Sequence, residues 1–393
     1  FPSVSAGWTI SNEPFLKDAL ENIATIRIRA SWGKSGNNDI GNYSSIAGIS
    51  TGSYAFGTTA VSTSRLGGFA DSELGWETTT QTNIGLDLGF FDNRISLSME
   101  YYNRIISDLL VSNKSLPAYN EINTIAANIG KTQGRGFELT LSTVNIMNKD
   151  WTWSTDFTFY TFKDNWYERD PNWKPAAYES KKDPIRSYYS YVSDGLLQVG
   201  EKAPAWQPTL VPGQIKLKNL YDTGTSPNVL DQYDKVNLGS QDPKCTLGLN
   251  NTLRYKNLDF NIYFYGEIGR LRGASYYDAW IVGLGNSLTN VSQQSLHSYT
   301  NANQNTTVPN LIESAYDFGD YYHKKINYLR CRNITLGYTI PVSKSIANSV
   351  RISANVSNPF VFTNWNGVDP ETDTGNFSYP NVTSFSFGID ISF

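Results

Sequence analysis

The chain has 393 residues, of which 39% are hydrophobic, 14% aromatic and only 17% charged, where about a quarter charged is usual for soluble domains. Its net charge of −4 is unclustered, which argues against nucleic-acid binding by bulk electrostatics. No stretch approaches the roughly 18 apolar residues of a transmembrane helix, and Phe1-Pro2-Ser3-Val4 has no basic or apolar leader region, so a secretion signal would lie upstream.

The first expected element is a short helix from Glu13 to Ile23, with Phe15, Leu16, Ala19, Leu20 and Ile23 at helical spacing and Asn12 as N-cap. After it, period-two alternation dominates. Ile26, Ile28, Ala30 and Trp32 share one face, then Ile84, Leu86, Leu88 and Phe90 against Asn83, Gly85, Asp87 and Gly89. Ile95/Leu97/Met99/Tyr101, Phe137/Leu139/Leu141 and Trp153/Thr155/Phe157/Phe159 follow. Later come Leu258/Phe260/Ile262/Phe264, Ile334/Leu336/Tyr338/Ile340 and Val350/Ile352/Ala354/Val356. The last strand puts Phe385, Phe387, Ile389, Ile391 and Phe393 on one face and Ser384, Ser386, Gly388, Asp390 and Ser392 on the other. Such a strand has one side against an apolar medium and the other against water.

This gives an all-β fold of roughly eleven or twelve strands, each near the ten-residue span of a tilted membrane strand. A soluble sandwich or propeller also alternates, but two features favour a transmembrane antiparallel barrel. The apolar faces end in aromatics such as Phe90-Phe91, Tyr101-Tyr102 and Trp151/Trp153, as interfacial girdles do. The connections are also lopsided: short turns at 92–93, 145–150, 256–257 and 341–349 alternate with polar segments at about 163–244, 267–327 and 358–383. No repeat of fixed period is present.

Several stretches, in order along the whole chain, resemble the C-terminal half of SusC-like TonB-dependent transporters. They include Phe1-Pro2-Ser3-Val4-Ser5-Ala6-Gly7-Trp8, Ile26 to Asn37, Trp76-Glu77 with Gln81 to Asp87, and Glu100-Tyr101-Tyr102-Asn103-Arg104. Asn128-Ile129-Gly130, Gly136-Phe137-Glu138-Leu139, Tyr328 to Tyr338, Gly367-Val368-Asp369-Pro370-Glu371 and Tyr379-Pro380 continue the likeness. The resemblance implies a 22-stranded barrel of which residues 1–393 are the C-terminal portion, with the plug and the N-terminal strands elsewhere. It also implies an outer-membrane location, energy from TonB acting through that N-terminal region, a SusD-like surface lipoprotein as partner, and a glycan or peptide as cargo. The final strand, Phe385 to Phe393, resembles the signal read by the barrel-assembly machinery.

Groups suited to covalent chemistry are few. His297 and His323 are the only histidines and neither sits in a catalytic or zinc motif. Asp369 and Glu371 could pair as glycosidase carboxylates, although Pro370 between them fits a fixed turn. Residues 213–219, with Asp231, Asp234 and Gly239, occupy the place where the resembling family often has a calcium-type loop; Asn219 stands where the first Asp would be, so a solvated hairpin is the simpler reading. Cys245 and Cys331 have no metal-type spacing, and either one disulfide or two thiols satisfies the sequence. No cofactor, metal or catalytic residue is assigned. The candidate ligand-binding residues are loop aromatics: Trp166, Tyr188, Tyr191 and Trp206 in one long segment and Tyr276, Tyr277 and Trp280 in another. Flat rings beside polar groups suit sugars or peptides, and the same rings can equally pack the loops or meet a partner. The favoured reading is a nutrient importer; the alternative is a soluble or surface-attached all-β glycan hydrolase or carbohydrate-binding protein, and a third is a signalling receptor.

Overall fold

The computed structural model describes residues 1–393 except 21–23, 117–123, 172–173, 222–227, 274–292, 311–317, 343–347, 368 and 373–378. Eleven strands form one antiparallel sheet in chain order. They are β1 (Ser3–Thr9), β2 (Ala24–Asn37), β3 (Glu77–Phe90), β4 (Ile95–Ser107), β5 (Lys131–Met147), β6 (Trp151–Glu168), β7 (Cys245–Tyr255), β8 (Leu258–Gly273), β9 (His323–Ile340), β10 (Ser349–Thr363) and β11 (Ser384–Ser392). Each pairs with its sequence neighbour, so the sheet is an up-and-down meander, the topology of transmembrane barrels.

Register makes the two faces chemically distinct. One row of direct partners runs Trp8, Ile28, Leu86, Met99, Leu139, Phe159, Leu247, Gly266, Leu329 and Phe362. The neighbouring row on the opposite face runs Arg29, Gly85, Glu100, Glu138, Tyr160, Thr246, Glu267, Tyr328 and Thr363. Phe157, Phe159, Ile262, Phe264, Leu336 and Ile352, expected on a lipid-facing surface, all fall on the apolar face, and none belongs to the buried core. A register shift between Cys331 and Asn333 keeps this true: Cys331 pairs with Phe264 on the apolar face while Asn333 pairs with Tyr263 on the polar one. Both cysteines are free thiols.

The connections segregate as the sequence implies. Residues 91–94, 148–150, 256–257 and 341–348 join strands at one end, and 38–76, 108–130, 169–244, 274–322 and 364–383 join them at the other. Two of these long excursions escaped the sequence reading. Each contains a hairpin, Ile49–Phe56 with Thr59–Leu66 and Leu110–Ser115 with Thr124–Asn128, that stands apart from the main sheet. The central strands are also longer than the ten residues expected; β6 and β9 reach 18 each. Their excess runs into segments read as loop, because hydrogen-bonded pairing continues past the apolar stretch. The described helix is Pro14–Leu20, the expected continuation over 21–23 lies outside the described residues, and Asn12 ends a 3-10 turn rather than capping the helix. The Glu13 carbonyl accepts the first bond, from Lys17 N at 2.8 Å, with Pro14 in the first position where its missing N–H costs nothing. Among the described residues no helix is long and apolar enough to cross a membrane.

The hydrophobic core lies outside the apolar face. It consists of Leu196, Ile215, Leu217, Tyr299, Tyr322, Ile326 and Trp365, contributed by three of the long connections and the adjoining start of β9.

A loop cap above a polar inner face

The cap is built from chain segments that cannot pack alone. Ser193–Leu196 and Ile215–Leu217 pair as a two-stranded piece, and Trp206 folds over it, its indole N–H donating to the Leu217 carbonyl at 2.7 Å. Gly213 joins this unit to the next loop: its N–H donates to Leu197 O at 2.7 Å, and its carbonyl accepts from Asn310 N at 3.0 Å. Its φ is +88°, and an added Cβ would stand 2.6 Å from Tyr299 and 2.9 Å from the Asn310 Cβ. Gly213→Ala is therefore expected to cost on the order of 1–3 kcal/mol through left-handed backbone strain, before the clash is counted. Faster proteolytic nicking near 197–215 with an intact barrel is the result to look for.

Asp234 closes the other end of the same loop. Fully buried, it accepts from the N–H groups of Leu220 at 2.7 Å, Tyr221 at 3.0 Å and Asp231 at 3.0 Å. Its oxygens thus serve backbone donors in the segment compared above with a calcium loop. Among the described residues no group of three His, Cys, Asp or Glu is disposed to hold a metal ion.

The third connection, 364–383, is held by charge. Arg330 on β9 contacts Asp369 at 2.8 Å and Glu371 at 3.3 Å, and Arg332 reaches Glu371 at 3.1 Å. Asp369 also accepts from the backbone N–H of Glu371 at 2.8 Å and of Asn381 at 3.1 Å. Burial alone would raise the Asp369 carboxyl, but these backbone donors, with that of Thr372 and the guanidinium, hold it below its usual range. The two carboxylates are tied to arginines and backbone, the fixed-turn role rather than a hydrolytic pair. Burial, with the Asp183 carboxylate that its hydroxyl bonds at 2.8 Å, pushes the Tyr189 phenol up to about 12.

Beneath the cap, the polar face of the sheet carries several hydrogen-bonded clusters. Arg29 bridges Asp87 at 3.1 Å and Glu100, and the Tyr102 and Tyr160 hydroxyls meet at 2.8 Å. Asn261 donates to Asn250 at 2.7 Å, Asn355 donates to Asn333 and to Thr335, and Arg351 clasps Asp259 at 2.6 Å. Such a surface offers amides, hydroxyls and paired charges to a hydrated solute.

The candidate aromatics are distributed as follows. Trp166, near the end of β6, carries Arg169 over its ring at 5.4 Å. Tyr188 is 38% exposed and stacks on His323 at 4.4 Å. Tyr191 packs on the cap core, with Lys235 over its ring at 5.1 Å. Tyr188 and Tyr191 thus have different partners in the cap, and Trp206 sits on the Ser193–Leu196 and Ile215–Leu217 strand pair. Tyr276, Tyr277 and Trp280 fall outside the described residues. His297 is exposed at the end of a 3-10 turn. The charged clamp of Arg330 and the left-handed junction at Gly213 went unnoticed in the sequence, where only the Asp369–Glu371 spacing hinted at the former.

Comparisons with known proteins agree with this geometry. A protein-family model described as "TonB dependent receptor-like, beta-barrel" matches residues 1–358. TonB-dependent receptor P3 of Formosa agariphila is 30% identical, aligned over 100% of this chain and 42% of the relative. TonB-dependent receptor SusC of Bacteroides thetaiotaomicron is 29% identical over 100% of this chain and 40% of its own length. The RagAB peptide importer in its open-open state superposes with a TM-score of 0.81 at 22% identity, over 100% of this chain and 42% of that one. The chain thus spans about two fifths of the length of the relatives it matches.

Proposed function

The chain belongs to the TonB-dependent receptor-like β-barrel family and is part of an outer-membrane barrel, and from that premise we propose that the complete protein imports a large nutrient under TonB drive. The observation that carries this reading is the polar face of the sheet, which bears hydrogen-bonded side-chain clusters on strands from β2 to β10 beneath a folded cap. Eleven strands are half of a 22-stranded barrel, and both β1 and β11 are edges of the described sheet. An edge in lipid leaves backbone groups unsatisfied, so β1 would pair with barrel strands supplied by the rest of the polypeptide, and β11 would close on its first strand. The long-connection end would face outward and receive a SusD-like lipoprotein on the cap.

The cargo in this proposal is a glycan or a peptide. Tyr188 and Tyr191, with Trp166 and Trp206, offer stacking faces beside Asn, Asp and Arg, while RagAB, a peptide importer of the same fold, favours a peptide. No covalent step is involved, and membership of an outer-membrane family displaces the soluble hydrolase reading. The test is uptake of labelled oligosaccharide and oligopeptide pools by cells with and without the complete protein. Uptake should vanish both on deletion of the protein and on loss of TonB; uptake that persists without TonB would sink energised import. Tyr188→Ala should raise the half-saturation concentration several-fold at unchanged barrel amount, since a stacked ring contributes about 0.5–1.5 kcal/mol. Unchanged uptake kinetics would remove Tyr188 from the cargo site.

A further inference from the structure

Above the row Phe159, Leu247, Leu329 and Phe362, the apolar face turns cationic. Lys163 lies four residues beyond Phe159 on β6 and shares its face by alternation; Lys325 lies four residues before Leu329 on β9 and does the same. Lys244 immediately precedes β7; its N–H donates to Ile268 O at 2.8 Å. Its side chain lies across Gly269, where an added Cβ would be 2.9 Å from the lysine Cδ. The three lysines line one recess of about 360 Å³, overhung by Pro184 and the 237–243 segment. All three are exposed, and none forms an ion pair with a described residue. Two carboxylates also line the recess, but both are engaged: Asp242 by Arg186 at 2.7 Å, and Asp164 by the Ile185 N–H at 3.1 Å.

A second recess, also of about 360 Å³, opens on the same face just below. It is lined by Leu247, Ile268, Leu329 and Phe362, and it is almost wholly apolar. The two are adjacent, because Ile268 of the lower one is the sequence neighbour of Gly269 and Asn327 is separated by one residue from Lys325. Unpaired ammonium groups at the rim of a lipid-facing surface match phosphate, and an apolar groove running from them into the membrane matches an acyl chain. A soluble anion would use the first recess and leave the second empty. We propose that these paired recesses bind a phosphorylated, acylated glycolipid of the outer leaflet, phosphate on the lysines and one acyl chain in the groove.

The experiment uses the complete protein in nanodiscs of neutral lipid, titrated with purified monophosphoryl lipid A, its dephosphorylated form, and inorganic phosphate. Occupancy is read by native mass spectrometry. Monophosphoryl lipid A should bind the wild type at least tenfold more tightly than it binds the combined variant K163Q/K244Q/K325Q, and tenfold more tightly than the dephosphorylated form binds. Phe362→Ser should weaken binding several-fold with the lysines intact, and inorganic phosphate should compete only at concentrations far above the lipid's. The substituted lysines are exposed, so heat-modifiable migration should remain that of the wild type; K163Q and K325Q singly give partial losses if it does not. Equal affinity of the lysine variants, equal binding of the dephosphorylated lipid, or full displacement by inorganic phosphate at matched concentration would each overturn the proposal.

Discussion

Arg330→Met should release the 364–383 connection from the barrel and lower the stability of the cap by about 3–5 kcal/mol, the usual cost of removing one partner from a buried ion pair. The reason lies in what is left behind. Arg330 is 3% exposed and Asp369 4%, so without the guanidinium the described partners left are backbone donors for Asp369, and Arg332 with the Asn381 side-chain amide for Glu371. The loss is capped by the free energy with which the connection docks, because beyond that point the segment detaches and its carboxylates reach water. Hydrogen exchange should therefore report local opening at the amides of Glu371 and Asn381, with barrel strands still protected. Arg330→Met combined with Asp369→Asn should recover part of the loss, since it removes one of the stranded charges. Wild-type protection in Arg330→Met would show that the backbone contacts alone hold the segment.

The same clamp sets a pH dependence of defined sign. The Asp369 carboxyl is held below its usual value in the folded protein, so its contribution is complete above the unfolded value of about 3.9. It is lost as pH falls through the lower folded value. Docking of the connection should thus be insensitive to pH between about 5 and 8 and weaken only in strong acid, which exchange measured down a pH series would reveal.

Phe387→Arg should sharply reduce the amount of protein reaching the outer membrane, while Ser386→Arg, one residue away, should leave it near wild type. Phe387 is 84% exposed and lies in register with Ala354 and Leu336 on the apolar face. A guanidinium there would sit in hydrocarbon at about 2–4 kcal/mol near the bilayer midplane. Ser386 is in register with Asn355 and Thr335 on the polar face, where a charge stays hydrated. The membrane fraction, assayed by heat-modifiable migration, distinguishes the two; equal losses would mean that β11 is sensitive to any bulk and that its faces are not lipid and lumen. Phe393→Ala addresses the same strand as an assembly signal: much lower membrane levels are expected, whereas wild-type levels would leave Phe393 with packing alone.

Period two in the sequence was sufficient to read an all-β chain of eleven or twelve strands with two unlike faces, because a strand that separates lipid from water must alternate at every step; the order of the eleven strands came from the structure. Local signals of this kind need no partner to be read: Phe385 to Phe393 carry their face assignment in their own spacing. Strand length was not local. β6 and β9 continue beyond their apolar residues because each edge finds a neighbour to bond, and nothing in Lys163-to-Glu168 or His323-to-Asn327 announces that neighbour. The cap was less legible still. Leu196, Ile215, Tyr299, Ile326 and Trp365 stand up to 169 positions apart (196 to 365) and share no period, yet they form the main buried core. Arg330 read as one polar residue in a β-strand until tertiary folding placed it against Asp369, 39 residues on. Alternation follows from the solvent on either side of a single strand, whereas the cap and its charged clamp depend on which distant segments meet, and only the closed chain decides that.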